Sequence, residues 1–136
     1  MPWGEMMIVG SGIDVIEIAR VERALGRRGE RFERRVFTPQ EIAACRRFAR
    51  PAPHFALRFA AKEAVMKAVG TGWARGVRWV DIETLPGAPA AAELRLALHG
   101  PVAEHARRLG AARPHLCVAR SRRHAFAVVV LEADPG

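Results

Sequence analysis

Three stretches of the 136-residue chain carry residue types able to do chemistry. The first, Phe55 to Val69 (FALRFAAKEAVMKAV), has only Arg58, Lys62, Glu63 and Lys67 as charged residues. Read as a helix it is apolar around nearly its whole circumference, which marks a buried helix. An ionised group there must be paired or coordinated, because its desolvation is otherwise uncompensated. Glu63 and Lys67 stand four apart on one face; if exposed, that is an ordinary intrahelical pair worth about 0.3–0.5 kcal/mol. The second stretch is the exit Gly70-Thr71-Gly72. A helix stop accounts for Gly70 as a C-cap but not for Gly72, and two glycines around a hydroxyl let backbone N–H groups approach an anion. The third is Asp14, an acid inside the β-branched run Ile8 to Ile18. Asp14 either caps the helix that follows or joins Glu63, from a different element, in holding one hard divalent cation. Magnesium is held by one or two carboxylates together with water and substrate phosphates. Such an ion bridges a diphosphate and absorbs charge on a leaving group.

The elements that must position these residues follow from pattern. Ile8 to Ile18 reads as a strand with backbone crowding at Gly10 and Gly12, running into a helix over Ala19 to Leu25. Arg27 to Arg35 reads as a short surface helix with Phe32 and Val36 at i,i+4 spacing. Thr38-Pro39-Gln40-Glu41 is a capping box with proline at the first helical position, opening a helix to about Phe48 that Pro51 and Pro53 should end. After the central helix, Trp79 to Leu85 and Glu93 to Leu98 read as strands around a Pro86-Gly87 turn, and Gly100-Pro101 introduces a helix to Leu109. His115 to Ala119 and Ala125 to Glu132 form an antiparallel pair across the basic turn Arg120-Ser121-Arg122-Arg123, with Cys117 expected in the core. The expected fold is α+β, a mainly antiparallel sheet with a long central helix, in one domain over 1–136 with 1–7 as a loose extension.

Composition excludes several classes. Half of the chain is hydrophobic and 26% charged, unlike a disordered chain. Cys45 and Cys117 lie far apart without metal-ligand spacing, which favours a reduced, cytoplasmic compartment. No run approaches the roughly 20 apolar residues of a membrane span, and no export signal is visible at the N-terminus. Twenty-two Lys and Arg against fourteen Asp and Glu give +8, which attracts a polyanion. Nucleic acid is disfavoured, because the chain has no recognition helix or stacking-aromatic motif and no tyrosine.

Gly12-Ile13-Asp14 followed by Glu17 and Arg20, and Phe59 to Gly72 (FAAKEAVMKAVGTG), resemble the holo-[acyl-carrier-protein] synthases, the small trimeric class of 4′-phosphopantetheinyl transferases. The likeness extends through Arg31 to Glu41, Asp81-Ile82-Glu83 and the closing Val-Leu-Glu132, so it covers nearly the whole chain after Met7. It implies transfer of phosphopantetheine from coenzyme A to a serine of an apo acyl carrier protein, with release of adenosine 3′,5′-bisphosphate. It also implies a homotrimer with active sites between subunits. On matching positions, Asp14 and Glu63 would hold Mg2+ and Lys67 would sit beside the phosphate under attack. Lys62, Gly70, Thr71 and Gly72 would help hold coenzyme A, and Arg20 would meet the acidic carrier protein, which suits the +8 charge. Glu63 or a metal-bound water would take the serine proton.

Two departures bear on activity. Cys117 and Arg120 stand where the family usually has Ser and His, and the turn after Asp81-Ile82-Glu83 reads Gly87-Ala88-Pro89 instead of Gly-Lys-Pro. Arg120 still contacts phosphate, bidentately, but is no base near neutral pH. The alternative is therefore a diverged member with altered or lost transferase activity that binds a dedicated carrier protein or coenzyme A.

Overall fold

The computed structural model describes residues 6–70, 76–87 and 94–135. Strand β1 (Met7–Glu17) leads into helix α1 (Ile18–Val36), followed by α2 (Pro39–Arg46) and α3 (Ala52–Val69). A single 3₁₀ turn (Trp79–Asp81) precedes β2 (Ile82–Pro86) and β3 (Leu94–Leu98); α4 (Gly100–Arg108), β4 (Ala111–Arg120) and β5 (His124–Ala133) complete the chain. The three-stranded antiparallel sheet has the order β1-β5-β4, and β2 and β3 form a separate antiparallel pair. The fold is α+β, as expected.

Helix α3 is the core. Phe55, Ala56, Ala60, Ala61, Ala64 and Val65 are wholly buried. Strand β1 crosses it at close range. A Cβ on Gly12 would stand 2.0 Å from the Ala64 carbonyl oxygen, and one on Gly10 would stand 2.3 Å from that of Ala68. Only glycine on the strand, facing alanine on the helix, lets the two backbones touch. The crowding expected at these glycines is thus a helix–strand contact.

A second device fixes how α3 is rotated. Lys62 is fully buried, and its ammonium donates to Glu41 Oε1 at 2.8 Å, the Trp79 carbonyl at 3.0 Å and the Ile82 carbonyl at 2.5 Å. Glu41 is the acid of the capping box: its Oε1 also accepts from the Thr38 amide, while Oε2 accepts from the Thr84 amide and hydroxyl. All three lysine protons are used, and both carboxylate oxygens are doubly bonded. Burial pulls the Lys62 pKa below its ordinary value, and the Glu41 charge opposes that. The network ties α2, α3 and β2 together. Lys62 is therefore not free to hold coenzyme A, and that assignment is corrected: its charge is spent inside the core.

Other boundaries moved for local reasons. The two helices expected after β1 are both present and run together as α1 across a break at Gly29, whose φ of 49° and ψ of −130° are not helical. Pro51 and Pro53 do not end α2 but open α3, with Pro51 as its N-cap. Trp79 begins a 3₁₀ turn, not a strand. Met7, assigned to a loose extension, pairs with Ala133. Cys117 is exposed rather than core, because it alternates with the inward Leu116 and Val118 and faces away from α3.

Replacing Lys62 by Met leaves the Glu41 carboxylate buried without its cation. The expected loss is about 3–5 kcal/mol in urea unfolding, and a loss below about 1 kcal/mol would show that the network does not hold α3.

Candidate active site

Three consecutive turns of α3 present Phe59, Glu63 and Lys67 to one cleft of about 480 Å³, at the i, i+4, i+8 spacing of a single helix face. Strand β1 contributes Asp14, and α1 contributes Arg20, Val21 and Ala24. The close crossing at Gly12 brings Asp14 over the last turns of α3. There Lys67 Nζ donates to Asp14 Oδ1 at 2.9 Å and to the Ile13 carbonyl at 2.9 Å. Residues 53 positions apart in the chain are thus in direct contact. The capping alternative for Asp14 does not hold: α1 has Glu17 at its N-cap, and no side chain caps it.

The electrostatics of the cleft are poised. Burial pushes the Glu63 carboxyl above its usual pKa, the Asp14 charge adds to the rise, and Lys67 and Arg20 oppose it. Asp14 Oδ2 is buried and has no hydrogen-bond partner among the described residues. An acceptor left bare beside a second carboxylate fits a cation better than a further hydrogen bond. Among the described residues no three His, Cys, Asp or Glu side chains come together. A cation here would have two protein carboxylates, and water and substrate oxygens would complete its shell. That pattern suits magnesium and does not suit zinc.

Asp14, Glu63 and Lys67, which the sequence groups at one site, line one cleft; Arg20, expected at the carrier-protein contact, lines it as well. Lys62, adjacent to Glu63, points to the opposite side. Gly70 closes α3 in the left-handed conformation (φ 79°), as expected of a C-cap. Thr71 and Gly72 lie outside the described residues. Arg120 ends β4 and is not among the residues that line this cleft.

Arg58, on α3, stands out in the sequence only as a charge. It is buried in α3, its Nε has no partner among the described residues, and one terminal nitrogen donates to the His54 carbonyl at 3.1 Å. Burial lowers the His54 pKa, and the charges of Arg120 and Arg58 lower it further. The available signal was a cation on a helix with almost no room for one. A buried guanidinium with an N–H unpaired among the described residues is suited to an anion.

Residues 10–129 match the family model of the 4′-phosphopantetheinyl transferase superfamily. The holo-[acyl-carrier-protein] synthase of Koribacter versatilis (strain Ellin345) is 44% identical over 126 residues, covering 93% of this chain and 99% of the relative. That of Anaeromyxobacter sp. (strain K) is 48% identical over 131 residues, covering 93% and 97%. Among solved structures, a holo-(acyl-carrier-protein) synthase from Bacillus anthracis str. Ames in complex with CoA (3′,5′-ADP) superposes with a TM-score of 0.76 at 35% identity, over 94% of this chain and 99% of that one.

The Glu63 environment gives a pH test in metal-free buffer. A carboxyl whose pKa is raised by folding costs the fold nothing below its unfolded value; the cost grows as pH rises from the unfolded to the raised value, where the unfolded chain ionises first, and is complete above it. The Tm advantage of Glu63→Gln over the parent should therefore grow from pH 5 to pH 7.5 in thermal melts. A constant or shrinking difference would contradict the assigned environment.

Proposed function

The chain belongs to the 4′-phosphopantetheinyl transferase superfamily, and from that membership we propose that its Asp14–Glu63 cleft is where 4′-phosphopantetheine passes from coenzyme A to a serine of an apo acyl carrier protein. One observation carries the reading: two carboxylates from distant elements, one with a bare buried oxygen, share a cleft with Lys67 and Arg20. The relative with bound CoA supports coenzyme A as the donor. The intact acids and lysine weigh against a module that only binds.

Asp14 and Glu63 would hold a magnesium ion, which supplies charge neutralisation on the diphosphate when bound. The work of the chain is mostly placement, as in phosphoryl-type transfer generally. Lys67 lies within reach of a phosphate entering over Asp14. Glu63 is the proposed acceptor of the serine proton as the serine oxygen bonds to phosphorus and adenosine 3′,5′-bisphosphate departs. Arg58 and Arg120 offer a second anion-binding pole for a phosphate of the donor. Gly70-Thr71-Gly72 is proposed to assist at the diphosphate.

Arg20 opens a row of exposed arginines along α1 that continues through Arg23, Arg27, Arg31, Arg34 and Arg35. That row suits docking of an acidic carrier protein next to the cleft. The outer face of the three-stranded sheet is apolar and uncovered. Ile13 (62% exposed) lies across from Val128 and Cys117, and Val15 lies across from Phe126 and Ala119. We propose that further copies of the chain cover this face in a homotrimer. No helix among the described residues is long and apolar enough to cross a membrane, and we place the protein in the cytoplasm.

With magnesium and coenzyme A, the protein should add one phosphopantetheine mass to an apo acyl carrier protein. Glu63→Gln should slow this more than about 100-fold; an unchanged rate removes Glu63 from the chemistry. Val128→Glu should convert trimer to monomer in light scattering without loss of fold, and an unaltered mass would exclude this face as the interface.

A further inference from the structure

Lys67 bonds to β1 twice, at Asp14 Oδ1 and at the Ile13 carbonyl, both at 2.9 Å. The two partners of the ion pair are unequally held. The Asp14 side chain is 13% exposed and sits on a strand that Gly12 presses against Ala64, whereas the Lys67 side chain is 53% exposed. The acid is fixed. The ammonium, on a flexible four-carbon stem, is the partner able to leave. Charge sharpens the point. Asp14 and Glu63 bring two negative charges to the cleft, and Arg20 and Lys67 bring two positive ones. The described cleft is already neutral, so a divalent cation entering alone at the bare Asp14 Oδ2 leaves an excess of two positive charges and is repelled by the ammonium held on Oδ1. A diphosphate entering with the cation restores the balance and offers the displaced ammonium new oxygens.

We propose that Lys67 is a resident counterion of Asp14, and that its displacement makes divalent-cation binding conditional on the polyanionic substrate. The inference rests on the assignment of Asp14 and Glu63 as cation ligands. It gives Lys67 a positioning role in the empty protein: it holds Asp14 in its place and blocks a cation from settling before the substrate arrives.

Free manganese(II), counted by electron paramagnetic resonance, tests this in the full chain with and without coenzyme A. The parent should bind the ion weakly alone and at least about tenfold more tightly with coenzyme A. Lys67→Met should bind the ion alone at least about tenfold more tightly than the parent, and coenzyme A should then improve it by less than about threefold. Lys67→Arg should restore the coupling. Arg20→Gln removes an equal charge without touching Asp14 and should shift binding less than Lys67→Met. Should the Met variant melt below the assay temperature, Lys67→Gln serves for the same comparison. If the lysine variants bind the ion alone no more tightly than the parent, or if Arg20→Gln matches them, the counterion role is wrong while the cation site stands. If no form binds the ion even with coenzyme A, the cation site itself falls, and this inference with it.

Discussion

The contact of two backbones, β1 against α3, is the constraint from which the rest of the architecture follows. Helix and strand normally keep a layer of side chains between them, and here Gly10 and Gly12 remove it on one side while Ala64 and Ala68 reduce it on the other. Because the approach is limited by main-chain atoms, it is stiff: no rotamer change relieves a misfit. That stiffness is what a two-carboxylate site requires. Asp14 lies two residues beyond Gly12, and Glu63 lies one residue before Ala64. Their separation is set by the strand–helix contact itself and not by flexible side chains.

Distance alone would not aim Glu63. A helix nearly uniform in apolar character can rotate about its axis with little change in burial, since alanines on several faces pack almost equally well. The Lys62–Glu41 network breaks that degeneracy. A buried ammonium accepts only one arrangement of three oxygens, and those oxygens come from the capping box of α2, from the 3₁₀ turn and from β2. Once Lys62 is fixed inward, its neighbour Glu63 turns toward the cleft, with Phe59 and Lys67 one turn away on either side. The buried ion pair does not need to add stability to be useful. Its contribution is uniqueness of rotation, a role a leucine in the same place would not perform.

Much of this was readable beforehand where local rules act alone. The capping box at Thr38–Glu41, the C-cap at Gly70 and the crowding of glycines on β1 each rest on short-range stereochemistry, and each was found in place. The convergence of Asp14 with Glu63 was legible because an acid in a β-branched strand and an acid on an apolar helix both lack an ordinary explanation. What was not legible depended on tertiary direction. Lys62 and Lys67 look alike in the sequence, and only the fold sends one to the core and the other to the cleft. Arg58 follows the same rule: only the fold shows its guanidinium buried with an N–H unpaired among the described residues. Cys117 failed on face rather than on strand. Alternation along β4 was correctly anticipated as extended structure, but which side meets α3 is decided by the register with β5.

The distribution of charge completes the logic. The chain as a whole is strongly basic, yet its described reaction cleft balances two acids against two cations, and the excess lies outside, along α1 and at the β4 end. A uniformly positive cleft would repel a metal ion, and a uniformly acidic one would repel the diphosphate. Local neutrality built from opposite charges avoids both, because each group has a partner it can exchange for a ligand of the same sign. The arginines outside then act at longer range, drawing acidic molecules toward the site without altering its internal balance. Separation of the two roles follows from geometry: α1 faces the cleft with Arg20 and Val21 and exposes Arg23, Arg27, Arg31, Arg34 and Arg35 to solvent, so one helix walls the cleft and carries the proposed docking surface.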